Sequence, residues 1–252
     1  MKVSVITVCF NSEKTIRDTI ESVLSQDYPD IEHIVVDGAS SDATVSILGS
    51  YRGRLAKIIS EKDAGIYDAM NKGLVAATGD VVGILNSDDF YHDRSVISAV
   101  VAAFDSSPSP DMVFGDVDFV SAGNLSVVRR HYSAAHFRPW KLRFGWMPPH
   151  PGTFVKRHLI LKAGLYKTEF RIAADYEMFV RWLMVNKASY KWIDKVLVRM
   201  RMGGASTAGI RSSILLNREI VHACRMNNIR TNLAFVLSKI PFKLMEMIRR
   251  PS

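Results

Sequence analysis

Apolar positions along this chain change period near residue 120. Up to that point, short β-branched runs alternate with segments whose apolar residues recur at helical spacing. Residues 3–9 predict a buried strand. Residues 14–26 place Ile16, Ile20, Val23 and Leu24 on one helical face, and Asp27-Tyr28-Pro29-Asp30 ends that helix. A second strand is expected over 32–37, a helix over 42–51 and a third strand over 56–60. A third helix follows over 66–77, closed by Gly79, then a fourth strand over 81–85 and a helix over 94–104. Strands alternating with helices predict an α/β fold whose mostly parallel sheet is covered on both faces, with right-handed crossovers.

After Ser106-Ser107-Pro108-Ser109-Pro110 the rhythm breaks. Residues 112–120 predict another strand, and 121–149 read as irregular, basic and rich in aromatics. Helices are expected over 156–163, 174–186, 210–226 and 231–248, with 190–202 extended. The last helix gathers Leu233, Val236, Leu237, Ile240, Leu244, Met247 and Ile248 near one face, with Lys239, Lys243 and Arg250 around it and Pro241 inside it. Such a helix suits a membrane interface, the body of the protein or a partner subunit equally well.

Charge sharpens the division. Residues 1–120 hold 9 Lys and Arg against 19 Asp and Glu, and residues 121–252 hold 24 against 6. The basic residues are scattered among apolar ones and form no nucleic-acid module, so an anionic membrane surface or a phosphate-bearing acceptor fits them at least as well as nucleic acid. The two cysteines, Cys9 and Cys224, have no zinc or CxxC spacing, which points to a reducing compartment. The N-terminal apolar run is too short for a secretion signal, and no run approaches the roughly 20 residues of a membrane span. A cytoplasmic location follows, at the inner face of the cytoplasmic membrane if the last helix binds lipid.

In an open parallel sheet, ligands bind beyond the carboxyl ends of the strands. Here those ends are Cys9-Phe10-Asn11-Ser12, Asp37-Gly38-Ala39-Ser40-Ser41-Asp42, Glu61-Lys62-Asp63-Ala64-Gly65 and Asn86-Ser87-Asp88-Asp89. Carboxylates crowded into one cleft repel one another unless a cation or ligand donors compensate. Asp88-Asp89 suits Mg²⁺ or Mn²⁺, which takes one or two carboxylates plus phosphate and water. Asn-Ser-Asp-Asp is also ordinary turn composition. Asp37 could accept from a base N–H, or belong to a turn preceding a helix capped by Ser41 or Asp42. Neither GxGxxG nor GxxxxGK[ST] occurs.

Together these blocks resemble the family 2 glycosyltransferases, which have the GT-A fold, and in particular those of bacterial exopolysaccharide and colanic-acid-type synthesis. The resemblance rests on Ser4-Val5-Ile6-Thr7-Val8-Cys9-Phe10-Asn11, on residues 35–44 and 61–73, on Gly79-Asp80, and on Asn86-Ser87-Asp88-Asp89. It is dense to about residue 120 and thinner to about 206. It implies a donor site containing Thr7, Asn11, Asp37, Asp63, Asp68 and Asp88, with Asp89 as metal ligand for Mg²⁺ or Mn²⁺. His150-Pro151-Gly152-Thr153-Phe154 resembles an acceptor-side stretch of the family, with Pro151 a departure. Gly203-Gly204-Ala205-Ser206 resembles a loop over the diphosphate, so His150, Gly204 and Ser206 are expected beside the substrates. The family's base stands at a helix start, commonly in Glu-Asp; this chain has Ala174-Asp175, which assigns the base to Asp175, with Glu177 as the alternative. Without the family, Asp175 reads as a residue favourably placed against the helix dipole.

The implied activity is inverting, metal-dependent transfer of a sugar from a UDP-, GDP- or dTDP-sugar to a hydroxyl of a saccharide or lipid-linked saccharide. The implied division is a catalytic domain over 1–206 and a helical extension over 207–252. Within the domain, 1–120 binds the nucleotide sugar and 121–206 the acceptor. A nucleotidyltransferase would need a glycine-rich, basic start where Thr7 to Ser12 stand. A non-catalytic nucleotide-sugar-binding protein has no need of Asp89 together with Asp175.

Overall fold

In the computed structural model, which describes residues 1–203 and 210–239, all seven residues of strand β1 (Val3–Cys9) are buried. A central strand with both faces covered requires this. It pairs in parallel with β2 (Ile31–Asp37) on one side and β4 (Val81–Ile84) on the other, and β2 pairs in parallel with β3 (Lys57–Ser60). The register aligns Cys9 with Asp37 and Asp37 with Ser60, so three strands end level. Helices α1 (Ile16–Leu24), α2 (Thr44–Gly49) and α3 (Ile66–Ala76) make the connections. Gly73 lets α3 lie close on β1, because a Cβ there would stand 2.3 Å from Ile6 Cγ2.

The chain continues through β5 (Phe90–Tyr91), α4 (Val96–Phe104), β6 (Met112–Ser121), β7 (Asn124–Tyr132) and a 3-10 helix, Pro139–Phe144. Then come β8 (Thr153–Lys156), α5 (Arg157–Ala163), and α6 (Ala174–Val180) running into a π-helical turn, Arg181–Val185. Strand β9 (Tyr190–Arg201), α7 (Ile210–Met226) and α8 (Leu233–Leu237) follow. The sheet order is β3-β2-β1-β4-β8-β6-β9-β5, with β7 on β6. The expected parallel sheet is its first half. Beyond β4, antiparallel pairs β4–β8, β8–β6, β6–β7 and β5–β9 accompany the parallel pair β6–β9.

Three expectations need correction. Residues 121–149 are not all irregular: they contain β7 and the 3-10 helix. Strand β7 pairs with β6 through register shifts around Val120, and its exposure lacks regular alternation, so no period of two marks it. Strand β8 has four residues, too few to show a period, and takes Lys156 from the expected helix. The final helix does not begin at 231, since the backbone at Asn232 is extended, with φ −149° and ψ 173°. Helix α8 starts at Leu233, capped by Asn232 Oδ1 accepting the Phe235 N–H at 2.9 Å. Residues 240–248 of that expectation lie outside the described residues.

Side chains from α3, α6, α7 and α8 pack on one face of the sheet, where Ile6, Met70, Phe114, Tyr176, Phe179, Cys224 and Val236 share a core cluster. On the other face α4 covers Val3, Val5 and Leu85, and α1 and α2 cover Cys9 and Val35. Among the described residues no helix is long and apolar enough to cross a membrane.

Candidate active site

Asp37 ends β2 wholly buried. Its carboxylate accepts the Ser40 N–H at 3.2 Å, the Ser60 hydroxyl at 2.7 Å and the Ser40 hydroxyl. Gly38 has no room for a side chain, because a Cβ would stand 2.4 Å from Asp63 Oδ2. The Asp63 carboxylate therefore rests on the backbone just past Asp37, while its Oδ1 accepts the Gly65 N–H at 2.9 Å. Asp68 accepts the Ala64 N–H at 3.0 Å and pairs with Lys72 at 3.6 Å, which ties the loop before α3 to its first turn. Asn11, at a left-handed φ of 48°, donates its N–H to Ser40 Oγ and accepts the Ser41 N–H at 2.9 Å. Ala39 in the clasped loop is also left-handed, at φ 62°. Such conformations cost non-glycine residues about 1–3 kcal/mol and collect at functional sites. Beside Asn11 the Phe10 side chain is 62% exposed.

Thr7 is placed differently. It is fully buried, and its hydroxyl lies 3.0 Å from His33 Nε2 inside the layer. Burial pushes His33 down to about 3, so that pair is neutral.

The ends of β1 and β4 are laced together by Ser12 Oγ and Ser87 Oγ, 2.8 Å apart. Thr19 of α1 donates to the carbonyls of Ser87 at 2.9 Å and Asp89 at 2.7 Å. Arg201, at the end of β9, donates to the Asp88 carbonyl at 2.6 Å and pairs with Asp18. The loop is thus fixed through its backbone, leaving its carboxylates to other work. Asp89 is 2% exposed, and burial together with neighbouring Asp88 holds its carboxyl well above the usual range. Asn86 donates to Asp89 at 3.2 Å, yet Asn86 Oδ1 is buried with no partner. A buried carboxylate beside an orphaned carbonyl oxygen is a donor set suited to a hard divalent cation. Among the described residues no group of three or more His, Cys, Asp or Glu could hold a metal alone. An ion on Asp89 would draw its remaining ligands from substrate and water, the usual habit of Mg²⁺.

Asp175 stands in the first turn of α6. Burial is the main cause that pushes its carboxyl up to about 6, and the Glu219 charge adds to it. The segment before it is held from two sides. Glu219 of α7 accepts the N–H groups of Arg171, Ile172 and Ala173, each at 2.9 Å. Tyr67, in the first turn of α3, donates to the Ile172 carbonyl at 2.5 Å and lies 3.5 Å from Asp175 Oδ1. Asp175 therefore meets the start of α3, a few residues beyond Asp63.

Glu177 is spent elsewhere. It is fully buried, accepts twice from Arg181 Nε at 2.9 and 3.0 Å, and accepts from Asn227 at 3.0 Å. His150 lies 2.8 Å from the Tyr166 hydroxyl and lines a small pocket with Leu74, Ile84 and Trp182. Burial lowers it to about 4, so it is neutral at pH 7. Tyr166 stacks on Tyr67 with ring centroids 5.8 Å apart, so His150 is linked to Asp175 through intervening rings.

Continuous contacts join Asn11, Asp37, Asp63, Asp68, the Asp88-Asp89 loop and Asp175 along one rim of the sheet. Thr7 lies beneath that rim and His150 behind it. Gly204 and Ser206 lie outside the described residues. Sequence reasoning left Tyr67, Glu219 and Arg201 unassigned. Tyr67 falls within the block over 61–73, and Glu219 is the single acidic residue between Asp194 and Glu246. Nothing marked Arg201.

The family model for glycosyl transferase family 2 matches residues 4–162. An uncharacterized glycosyltransferase of Mycobacterium tuberculosis is 35% identical over 212 residues, covering 83% of this chain and 77% of its own. Among solved structures, Staphylococcus aureus TarS 1–349 in complex with UDP-GlcNAc superposes with a TM-score of 0.70 at 20% identity, over 95% of this chain and 72% of the other. The mannosyltransferase PcManGT of Pyrobaculum calidifontis, in complex with GDP-Man and Mn²⁺, gives 0.64 at 21% identity, over 98% and 73%. With the matched region spanning β1 to α5 and the acidic strand ends from Asp37 to Asp89 inside it, the chain belongs to glycosyl transferase family 2 and is a glycosyltransferase of GT-A fold.

Proposed function

We propose that the protein transfers a sugar from a nucleoside-diphosphate sugar to an acceptor hydroxyl by direct displacement, inverting the anomeric carbon, with Asp175 as base. The supporting observation is a carboxyl poised at about 6 on the rim that also carries Asp37 and Asp89. A base with that affinity is ionised at neutral pH yet basic enough to share a proton as the acceptor oxygen attacks. On the donor side, Asp37, Asn11 and Asp63 form the end wall for the nucleoside, with the Phe10 ring beside them. Thr7 supports that wall from within through His33, and Asp68 holds the loop that carries Asp63. Asp88 faces the ribose or diphosphate. Asp89 and Asn86 are the residues to hold Mg²⁺ or Mn²⁺, which would offset charge on the departing diphosphate. Nucleotide sugars and Mn²⁺ bound by the structural neighbours support the donor class and the ion.

The acceptor we assign to a saccharide, lipid-linked in bacterial surface polysaccharide synthesis, handled by residues 121–206 with His150, Gly204 and Ser206 on that side. Residues 1–206 form the catalytic unit and 207–252 its helical extension, with peripheral contact at the inner membrane face.

Asp175→Asn should leave donor binding within about twofold while removing at least 99% of turnover, about 2.7 kcal/mol of transition-state stabilisation. Transfer at the wild-type rate by that variant would move the base elsewhere.

A further inference from the structure

A second surface lies behind the site. The 3-10 helix Pro139–Phe144 packs against α8, and together they leave an apolar patch in water. Trp140 is 56% exposed, Leu233 45%, Phe235 40% and Leu237 37%. Phe144 links the two elements, stacked on Phe235 at 5.1 Å and edge-on to Trp140 at 5.8 Å. Helix α8 buries only Val236. A short surface helix with an apolar outer side expects a cover.

The charges around the patch identify the cover. No Asp or Glu occurs between Asp118 and Glu169, or between Glu219 and Glu246. Arg138, Lys141 and Arg143 donate to the backbone carbonyls of Phe137, His136 and Arg230. None of these three, nor Arg230, joins the carboxylate pairs found among the described residues. Lys141 also lies 5.8 Å from the Trp140 ring. A tryptophan with aliphatic and phenyl side chains, ringed by unneutralised Lys and Arg, is the composition that settles at the headgroup level of an anionic bilayer.

We infer that this patch, Trp140 with Leu233, Phe235 and Leu237 inside a ring of Arg138, Lys141, Arg143 and Arg230, docks the protein on an anionic lipid surface. The Tyr176 hydroxyl donates to the Leu142 carbonyl, so the docking element lies directly against the helix that presents Asp175. A lipid-linked acceptor would then meet the base from the membrane side. The use of the surface rests on the proposed acceptor class; its existence does not.

The test is co-sedimentation of the full chain, without donor, with vesicles of phosphatidylcholine alone or mixed with phosphatidylglycerol. Binding to the anionic vesicles is expected at low salt, about tenfold weaker on the neutral ones and in high salt, since the cations supply much of the attraction. Trp140→Ser with Phe235→Ser should cut anionic binding at least tenfold. Arg138→Glu with Arg230→Glu, at exposed positions, should do the same and serves if the first pair fails to fold. Wild-type protein that ignores anionic vesicles, or charge and apolar variants that bind as tightly as wild type, would overturn the inference. So would a dimer, seen by light scattering, that the Trp140 and Phe235 changes dissolve. Transfer activity without vesicle binding sinks only the patch, and vesicle binding without sugar transfer sinks only the proposed reaction.

Discussion

Asp175 illustrates how one residue acquires a task from its surroundings. Burial pushes its carboxyl up to about 6, the Glu219 charge pushes the same way, and the Tyr176 N–H and Tyr67 hydroxyl oppose them. The shift is upward, so the proton-accepting form is complete only above pH 6 and is lost as pH falls through that value. The value of kcat/KM, which reports groups of the free enzyme, should therefore drop about tenfold per pH unit below 6. A kcat/KM profile flat down to pH 5 would exclude Asp175 as the titrating base. Glu219→Gln removes the repelling charge and weakens three hydrogen bonds to the 171–173 backbone. It should shift the acidic limb downward and cost about 1–3 kcal/mol of stability, measured by denaturant unfolding. A limb that moves up instead would show that Glu219 acts through the shape of the loop alone.

At the scale of elements, close approach decides where the rim stands. Gly73→Ala would drive a methyl group to 2.3 Å from Ile6 and lift α3 off β1. Overpacking of this kind costs about 1–3 kcal/mol, and calorimetry should register it as several degrees of Tm. Gly38→Ala would collide with the Asp63 carboxylate, at 2.4 Å, and should weaken donor binding more than stability; equal Kd values by calorimetric titration would detach Asp63 from the donor wall. The first four strands were legible as β-branched runs set between helices of apolar period, β3 and β4 included although each has only four residues. Strand β7 was not, being irregular at a bulge, and neither was β8, whose four residues run directly into α5 and stand outside that alternation. The acidic strand ends were legible because parallel topology sends them to one edge. Which of the candidate residues reach the rim was not: Thr7 and Glu177 look like site residues in the chain, and packing buries both. Glu219 and Arg201 act from far along the sequence, beyond the reach of any local pattern.

The molecule as a whole separates its charges. Its acidic half carries the carboxylates of the strand ends, and its basic half carries the surface behind Asp175. Donor and cation should consequently bind as a coupled pair. Thermal-shift titration with UDP-, GDP- or dTDP-sugars should give a stabilisation of about 2.7 kcal/mol at a hundredfold excess over Kd when Mn²⁺ is present, and a much smaller one without it. Asp89→Ala should abolish the difference, and a variant that still responds to Mn²⁺ would remove Asp89 from the ligand set.

Arg201 closes the loop of Asp88 from the last strand of the sheet and holds Asp18 of the first helix with the same guanidinium. A ribosome delivers the acidic half of the rim long before it delivers residue 201. The turn bearing Asp88 and Asp89 can already be held by Ser12 and Thr19 at that stage, but its tie to Arg201 forms only when β9 has emerged. A fragment stopping at residue 162 would lack that tie together with the α6 and α7 side chains of the same core.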